Sequence, residues 1–222
     1  MIEGQPFIDL GWVIGHLDEL ARRTGEHLFV TAIAVVAGFA ISFVLALLIR
    51  RYPPLYAPVL GISGVLYSIP SIALFVILIP ITGLSLLTAE IALVGYTLVI
   101  LVRNIVTGLR SVPPDVLESA DGMGYSGGQR LWRVELPIAL PIILAGVRIA
   151  TVTTIGLVTI ATLIGMGGLG YLIVNIGIQR RFPTATLSGI VIVVLLSTVI
   201  DLALLAVQRR LTPWAREHRG VG

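Results

Sequence analysis

The 222-residue chain is 56% hydrophobic and only 12% charged, well below the roughly 25% charged residues of a soluble globular domain. Its net charge of +3 is built without lysine: all fifteen basic residues are arginine, and they flank apolar segments rather than forming the basic face that a nucleic-acid partner requires. The absence of cysteine excludes disulfides, thiolate zinc sites and cysteine nucleophiles, and the apolar runs point to an all-α integral membrane protein in a lipid bilayer.

Residues 1–27 are mixed and polar, with His16, His27 and five acids; they are predicted to lie outside the bilayer, and no signal-peptide anatomy is visible. Residues 28–49 carry no charge, and fourteen of these 22 are Leu, Ile, Val or Phe. On the insertion scale that contributes about −4 to −8 kcal/mol, so this is the first predicted span, closed by Arg50 and Arg51. The next 38 residues, from Tyr52 to Ala89, are also uncharged. As one helix they would run about 57 Å, longer than a bilayer crossing, so the chain must turn. Pro53, Pro54 and Pro58 mark the entry to a second span at 55–79, and Pro80 and Gly83 its exit. Pro70 interrupts this span. A proline at membrane depth frees a backbone carbonyl, which Ser68 and Ser71 would satisfy or leave facing a cavity; an inert kink against a neighbouring helix is the alternative, and both readings stay open.

A third span is predicted at 84–102, with Glu90 near one end and Arg103 closing the other. A polar loop, 103–137, follows. The fourth span, 138–164, begins after Pro137 or Pro141, carries Arg148, and is rich in threonine, Thr151 and Thr154 included. A glycine-rich turn at 165–170 and a semi-polar segment to Pro183 lead to a fifth span, 186–207, which contains Asp201; an arginine-rich tail, 208–222, ends the chain. Arg148 and Asp201 read as a structural pair or as snorkelling charges, and Glu90 as either a functional or a scaffold charge. With the polar loop inside the cell, ten arginines fall on the inner side and four on the outer, which predicts an external N-terminus and a cytoplasmic tail.

The loop has the pattern of two short capped helices about a glycine hinge. Asp115 with Glu118 has capping-box spacing, Leu117 and Ala120 share a face as an apolar knob, and Gly122 and Gly124 supply a helix stop. Ser126 and Gln129 form a second capping pair. Leu131 and Trp132 read as apolar anchors, and Arg130, Arg133 and Glu135 as the wet face. Spacing alone leaves two readings: a loop resting on lipid headgroups, or a knob that docks in a partner's groove.

Glu118-Ser119-Ala120 with Gly124 and Leu136-Pro137 resembles the Glu-Ala-Ala motif of permease subunits of binding-protein-dependent ABC importers, with Ser119 in place of the usual alanine. Ser68-Ile69-Pro70-Ser71, Arg103-Asn104, the run from Glu135 to Pro141 and the turn from Gly165 to Gly170 are most similar to osmoprotectant permeases, which serve glycine betaine, choline or carnitine. Methionine importers share the Gly-Gly-Leu-Gly turn and are the alternative. The resemblance implies a five-transmembrane-helix type I ABC importer permease of methionine-importer-like fold in the bacterial inner membrane. It assigns ATPase coupling to Asp115, Leu117, Glu118, Ser119, Ala120, Gly124, Leu136 and Pro137, and it makes Ser68, Pro70, Ser71, Thr151 and Thr154 candidates for the translocation path. It further implies a separate ABC ATPase that binds ATP and magnesium, an extracytoplasmic substrate-binding protein and a second permease subunit, identical or related. The chain itself is expected to bind no cofactor or metal and to hold no catalytic residue.

Three stretches match motifs of other functions without their context. Gly122–Gly127 and Gly165–Gly170 both match GxGxxG but lack the strand-turn-helix context of a nucleotide site, and no GxxxxGK[ST] loop is present. Gly61-Ile62-Ser63-Gly64 matches the GxSG of intramembrane serine proteases. Such a serine needs a histidine at membrane depth, and His16, His27 and His218 were all placed outside the spans.

Overall fold

The structure, a computed structural model, describes residues 8–214, and every regular element among them is helical. After a short α1 (Leu10–Gly15), α2 runs from Leu17–Arg51. A 3-10 turn leads into α3 (Tyr56–Ser68) and then α4 (Ser71–Thr82). Next come α5 (Leu86–Arg110), the short helices α6 (Pro114–Gly122) and α7 (Gly127–Arg130), and α8 (Leu136–Ala161). A single turn, α9 (Leu169–Tyr171), and a π-helical stretch, Leu172–Ile178, precede the final α10 (Pro183–Leu211).

Four of these rods are long and apolar enough to cross a membrane, and α3 with α4 makes a fifth, broken one. The helices α2, α5 and α8 pack on one another as the centre, while α10 lies against α8 and the π-helical stretch. Apolar helices gain little from mutual burial in lipid, so close backbone approach and dispersion hold them together. A Cβ on Gly38 of α2 would overlap the Thr97 hydroxyl of α5, and one on Gly146 of α8 would overlap Asn104 of α5. These small residues let the three central helices touch.

The helices run past the predicted span ends, because a charge that is paired or lies on an exposed face does not stop a helix. The first rod begins at Leu17, not at residue 28, because Arg22 and Arg23 pair with Glu19 and Glu26 one turn away at 2.8–3.5 Å. The third passes Arg103 and ends only at Arg110. Leu101, Val102, Ile105, Val106 and Leu109 are buried along it while Arg103, Thr107 and Arg110 face outward. Helix α5 therefore reaches eight residues into the predicted loop, 103–137. The fourth rod starts before Pro137, since Gly127–Ile164 is one continuous helical segment. Arg216, His218 and Arg219 lie outside the described residues.

The break at Pro70 is a bend of 98° between α3 and α4. Its exposed carbonyls find donors: the Tyr96 hydroxyl donates to Ile69 O at 2.6 Å, and Leu74 N–H donates to Pro70 O at 3.0 Å. Leu74 and Phe75 then anchor α4 in the core with Val30, Ala34 and Leu93.

Candidate functional site

The polar loop is built around α6. Pro113, in an extended conformation, takes the N-cap position, and Pro114 opens the helix, where a missing N–H costs nothing. That shifts Asp115 into the first turn, so the expected Asp115–Glu118 capping box does not form; no side chain caps this helix. The Ser119 hydroxyl instead donates to Asp115 O at 2.7 Å. At the other end Gly124 has φ +79°. Tyr125 N–H donates to Ala120 O and Gly124 N–H to Asp121 O, the paired bonds of a left-handed glycine stop. Ser126 then starts α7 with a complete capping box, its hydroxyl accepting from Gln129 N–H and its own N–H donating to the Gln129 side chain.

The two faces of α6 are sharply different. Ala120 is 1% exposed and Leu117 half-buried, both turned toward the body of the protein, so they are not the outward knob that spacing suggested. Asp115, Glu118, Ser119, Gly122 and Met123 form the exposed face, and Met123 is its large apolar group. A partner seated on α6 would meet the exposed carboxylates of Asp115, Glu118 and Asp121 around one methionine.

Beyond α7 the helix does not restart at Pro137 but widens. Leu131–Glu135 forms a π turn in which Leu136 N–H donates to Leu131 O. The wider turn turns Glu135 inward. It is 4% exposed, which corrects its reading as part of the wet face. Its two oxygens accept from Arg50 Nε and Nη2, both at 2.7 Å, and one also accepts from Arg130 Nε at 3.0 Å. Arg130 Nη1 in turn donates to Asp121 at 2.6 Å. Arg50 lies in the last turn of α2, Asp121 in the last turn of α6, and Arg130 ends α7. This four-residue ionic chain escaped the sequence reading because Arg50 and Glu135 are 85 positions apart; the only local signal was Asp121 and Arg130 flanking the glycine hinge. Leu136 and Pro137 line an apolar groove of about 530 Å³ with Phe39, Phe43, Trp132 and Trp214. Trp132 is 64% exposed at its edge and Leu131 is buried, so only one of the two expected anchors points inward.

The other nominated residues lie apart from this loop. Ser68 and Pro70 are exposed and Ser71 half-buried at the α3–α4 break, and the Ser68 hydroxyl donates to Val65 O. Thr151 and Thr154 are buried, with hydroxyls bonded to Val147 O and Ala150 O of their own helix at 2.8 Å. Glu90 is 8% exposed, and neither carboxylate oxygen has a hydrogen-bond partner among the described residues. Arg148 and Asp201 meet across α8 and α10.

Sequence reasoning also missed a clasp on the glycine-rich turn. His27, placed outside the spans by its charge-rich neighbours, is fully buried in α2. Leu169 N–H donates to its Nδ1 at 3.3 Å, so the proton sits on Nε2, which donates to Ile155 O at 2.9 Å. Glu26 accepts from Gly168 N–H, and the Arg23 guanidinium lies 3.9 Å over the Tyr171 ring. Ser63 is buried but its hydroxyl donates to Val59 O at 2.8 Å, and both described histidines bond elsewhere, so no serine–histidine pair forms among the described residues. Both GxGxxG stretches join helices, not a strand to a helix.

The family described as "Binding-protein-dependent transport system inner membrane component" matches residues 27–213. The osmoprotectant import permease protein OsmW of Salmonella typhimurium is 40% identical over 207 residues, 91% of this chain and 96% of the relative. The glycine betaine/carnitine/choline transport system permease protein OpuCB of Bacillus subtilis is 37% identical over 195 residues, 88% of this chain and 89% of the relative. Among solved structures, an inward-facing conformation of the MetNI methionine ABC transporter superposes with a TM-score of 0.78 at 25% identity, covering 89% of this chain and 98% of that one.

Proposed function

Because the chain belongs to the family of binding-protein-dependent transport system inner membrane components, we propose that it is the membrane-spanning half of an ATP-driven importer for an osmoprotectant such as glycine betaine, choline or carnitine. The substrate class rests on the relatives with the higher identity, both osmoprotectant permeases; the likeness to a methionine transporter is one of fold. As a permease it moves substrate rather than transforming it, with ATP and magnesium held on a separate ABC ATPase.

The observation that carries the coupling mechanism is the mounting of α6. Its outward face is free, and the same chain continues through a π turn into the unbroken rod of α8. Force applied to Asp115, Glu118 and Met123 by a closing ATPase pair is thereby delivered to a helix at the centre of the bundle. The excess of arginine on the α6 side supports a cytoplasmic loop, an external N-terminus and a cytoplasmic tail. A binding protein would then deliver substrate at the glycine-rich-turn side. A second permease, the same chain or a related one, would complete the pathway.

The test is reconstitution with the ATPase and binding protein in liposomes. Glycine betaine or choline uptake that depends on ATP supports the reading; methionine uptake with no quaternary amine uptake refutes the substrate class. Glu118→Arg or Gly124→Pro is expected to abolish uptake while membrane insertion persists, since both positions lie on the exposed loop.

A further inference from the structure

We propose that the chain Arg50–Glu135–Arg130–Asp121 is a second transmission link, one that ties the docking helix α6 to α2 as well as to α8. The proposal rests on the reading of α6 as the ATPase-docking element and adds a residue set that the docking motif does not contain.

The argument starts from how weakly α6 is otherwise held. Of its nine residues only Ala120 is buried, and its start has no side-chain cap. A glycine with left-handed backbone follows it. Driven by a partner, such a helix would pivot on its glycine hinge as well as push on α8, and a bridge across the hinge would stiffen that joint. Asp121 and Arg130 stand on either side of that hinge and bridge it at 2.6 Å. Arg130 then reaches Glu135, a carboxylate with a side-chain exposure of 5%. Glu135 is held from the opposite side by the Arg50 guanidinium, bidentate at 2.7 Å. Planar two-bond pairing of this kind fixes orientation as well as distance.

The geometry gives each residue one role. Asp121 is the exposed pick-up point on α6, with 54% of its side chain exposed. Arg130 is the lever across the hinge. Glu135 is the positioning residue at which α2 and α8 are both engaged. Removing a buried partner leaves the facing charges uncompensated, so the link fails most completely at Glu135. The lipid-side alternative, that these are interfacial charges serving only solubility, does not account for a buried carboxylate that accepts three bonds from two arginines.

The experiment has two arms. In the first, the full chain in nanodiscs carries spin labels at Met123→Cys and Arg51→Cys, both exposed sites in a protein with no native cysteine. A narrow label–label distance distribution is expected, broadening in Glu135→Gln and also in Asp121→Asn, the latter lying at an exposed position that threatens folding least. An unchanged distribution in both variants overturns the link. In the second arm the complex with ATPase and binding protein is reconstituted, and choline uptake and ATP hydrolysis are measured together. Uptake per ATP is expected to fall about fivefold or more in Glu135→Gln, the lower range of site-to-site coupling, with hydrolysis retained. An unchanged ratio, or uptake and hydrolysis falling together with loss of the ATPase from the complex, overturns the coupling role. A wild-type complex that neither hydrolyses nor imports counts against the transport reading, while the label distances, taken without any partner, still decide on the link.

Discussion

Arg148 of α8 grips Asp201 of α10 with two parallel bonds, Nε to Oδ1 at 2.9 Å and Nη2 to Oδ2 at 2.8 Å. Gln208 extends the pair, accepting from Arg148 Nη1 at 3.3 Å and donating to Pro141 O at 2.9 Å. That last carbonyl belongs to a proline inside α8, so one polar cluster satisfies a helix irregularity and pins α10. Elsewhere α10 rests on the π-helical stretch: Thr184, Ala185 and Gly189 are buried, and Ile192, Val193 and Leu196 pack on Leu20, Leu169 and Leu172.

Breaking this pair one residue at a time is therefore expected to destabilise the protein. Asp201→Ala leaves an arginine within a membrane segment without its carboxylate partner, at a cost of up to about 2.5–3.5 kcal/mol. Arg148→Leu with Asp201→Leu removes both charges and is expected to recover most of the loss. Thermal aggregation of the detergent-solubilised chain checks this, and a double variant no more stable than Asp201→Ala would contradict it.

Ala120 and Ser119 are neighbours in the motif but opposite in environment. Ala120→Leu forces three extra carbons into a site 1% exposed, and overpacking of that kind costs about 1–3 kcal/mol. Ser119→Ala removes only the hydroxyl bond to Asp115 O on the exposed face, so a change within about 0.5 kcal/mol is expected. Uptake by reconstituted variants should follow the same order, with Ser119→Ala near wild type and Ala120→Leu strongly impaired. Equal impairment of the two would mean that the outward face, not the seating of α6, limits coupling.

How far the sequence alone reached follows from the same contrast between local and distant information. Each uncharged run coincides with one of the long apolar helical segments, because hydropathy is a property of contiguous residues. The helices themselves run on to Leu17, Arg110 and Gly127, past charged residues that are paired or face outward. Pro70 marked a break, but its 98° angle depends on Tyr96 and on where Leu74 and Phe75 find a core, none of which a single span encodes. The Ser126–Gln129 capping box was legible because capping is local; the Asp115 box failed because two prolines claimed the helix start. Glu135 was misread for the converse reason, since its burial depends on Arg50 and on a π turn that no spacing rule predicted.

His27 provides a prediction at the opposite end of the bundle. Its ring joins three elements, accepting from Leu169 N–H and donating to Ile155 O while its backbone lies in α2. His27→Leu preserves apolar bulk but leaves the Leu169 N–H without its acceptor, and an unsatisfied buried donor costs about 1–3 kcal/mol. His27→Gln retains one acceptor and one donor group and is expected to lose less. Hydrogen exchange at the glycine-rich turn 165–170 is the informative measurement: faster exchange in His27→Leu than in His27→Gln supports the clasp, and identical exchange opposes it.

Tyr96 tests whether the α3–α4 break is held or merely tolerated. Its hydroxyl donates to Ile69 O at 2.6 Å, and its ring meets Tyr67 edge-on at 5.8 Å. Tyr96→Phe keeps the ring contact and deletes only the donor. The Ile69 carbonyl then has no hydroxyl to accept from where the helix is interrupted, and lipid offers no substitute donor. A loss of about 1–3 kcal/mol follows, concentrated at the bend, because Phe75 and Leu93 of the adjoining core are untouched. Label distances between Ser68→Cys and Ile81→Cys, both exposed, should therefore broaden in Tyr96→Phe while a pair within α5 stays narrow. Broadening in both pairs would indicate general loosening of the bundle; no change in either would mean that packing alone, without this hydrogen bond, fixes the angle of the break.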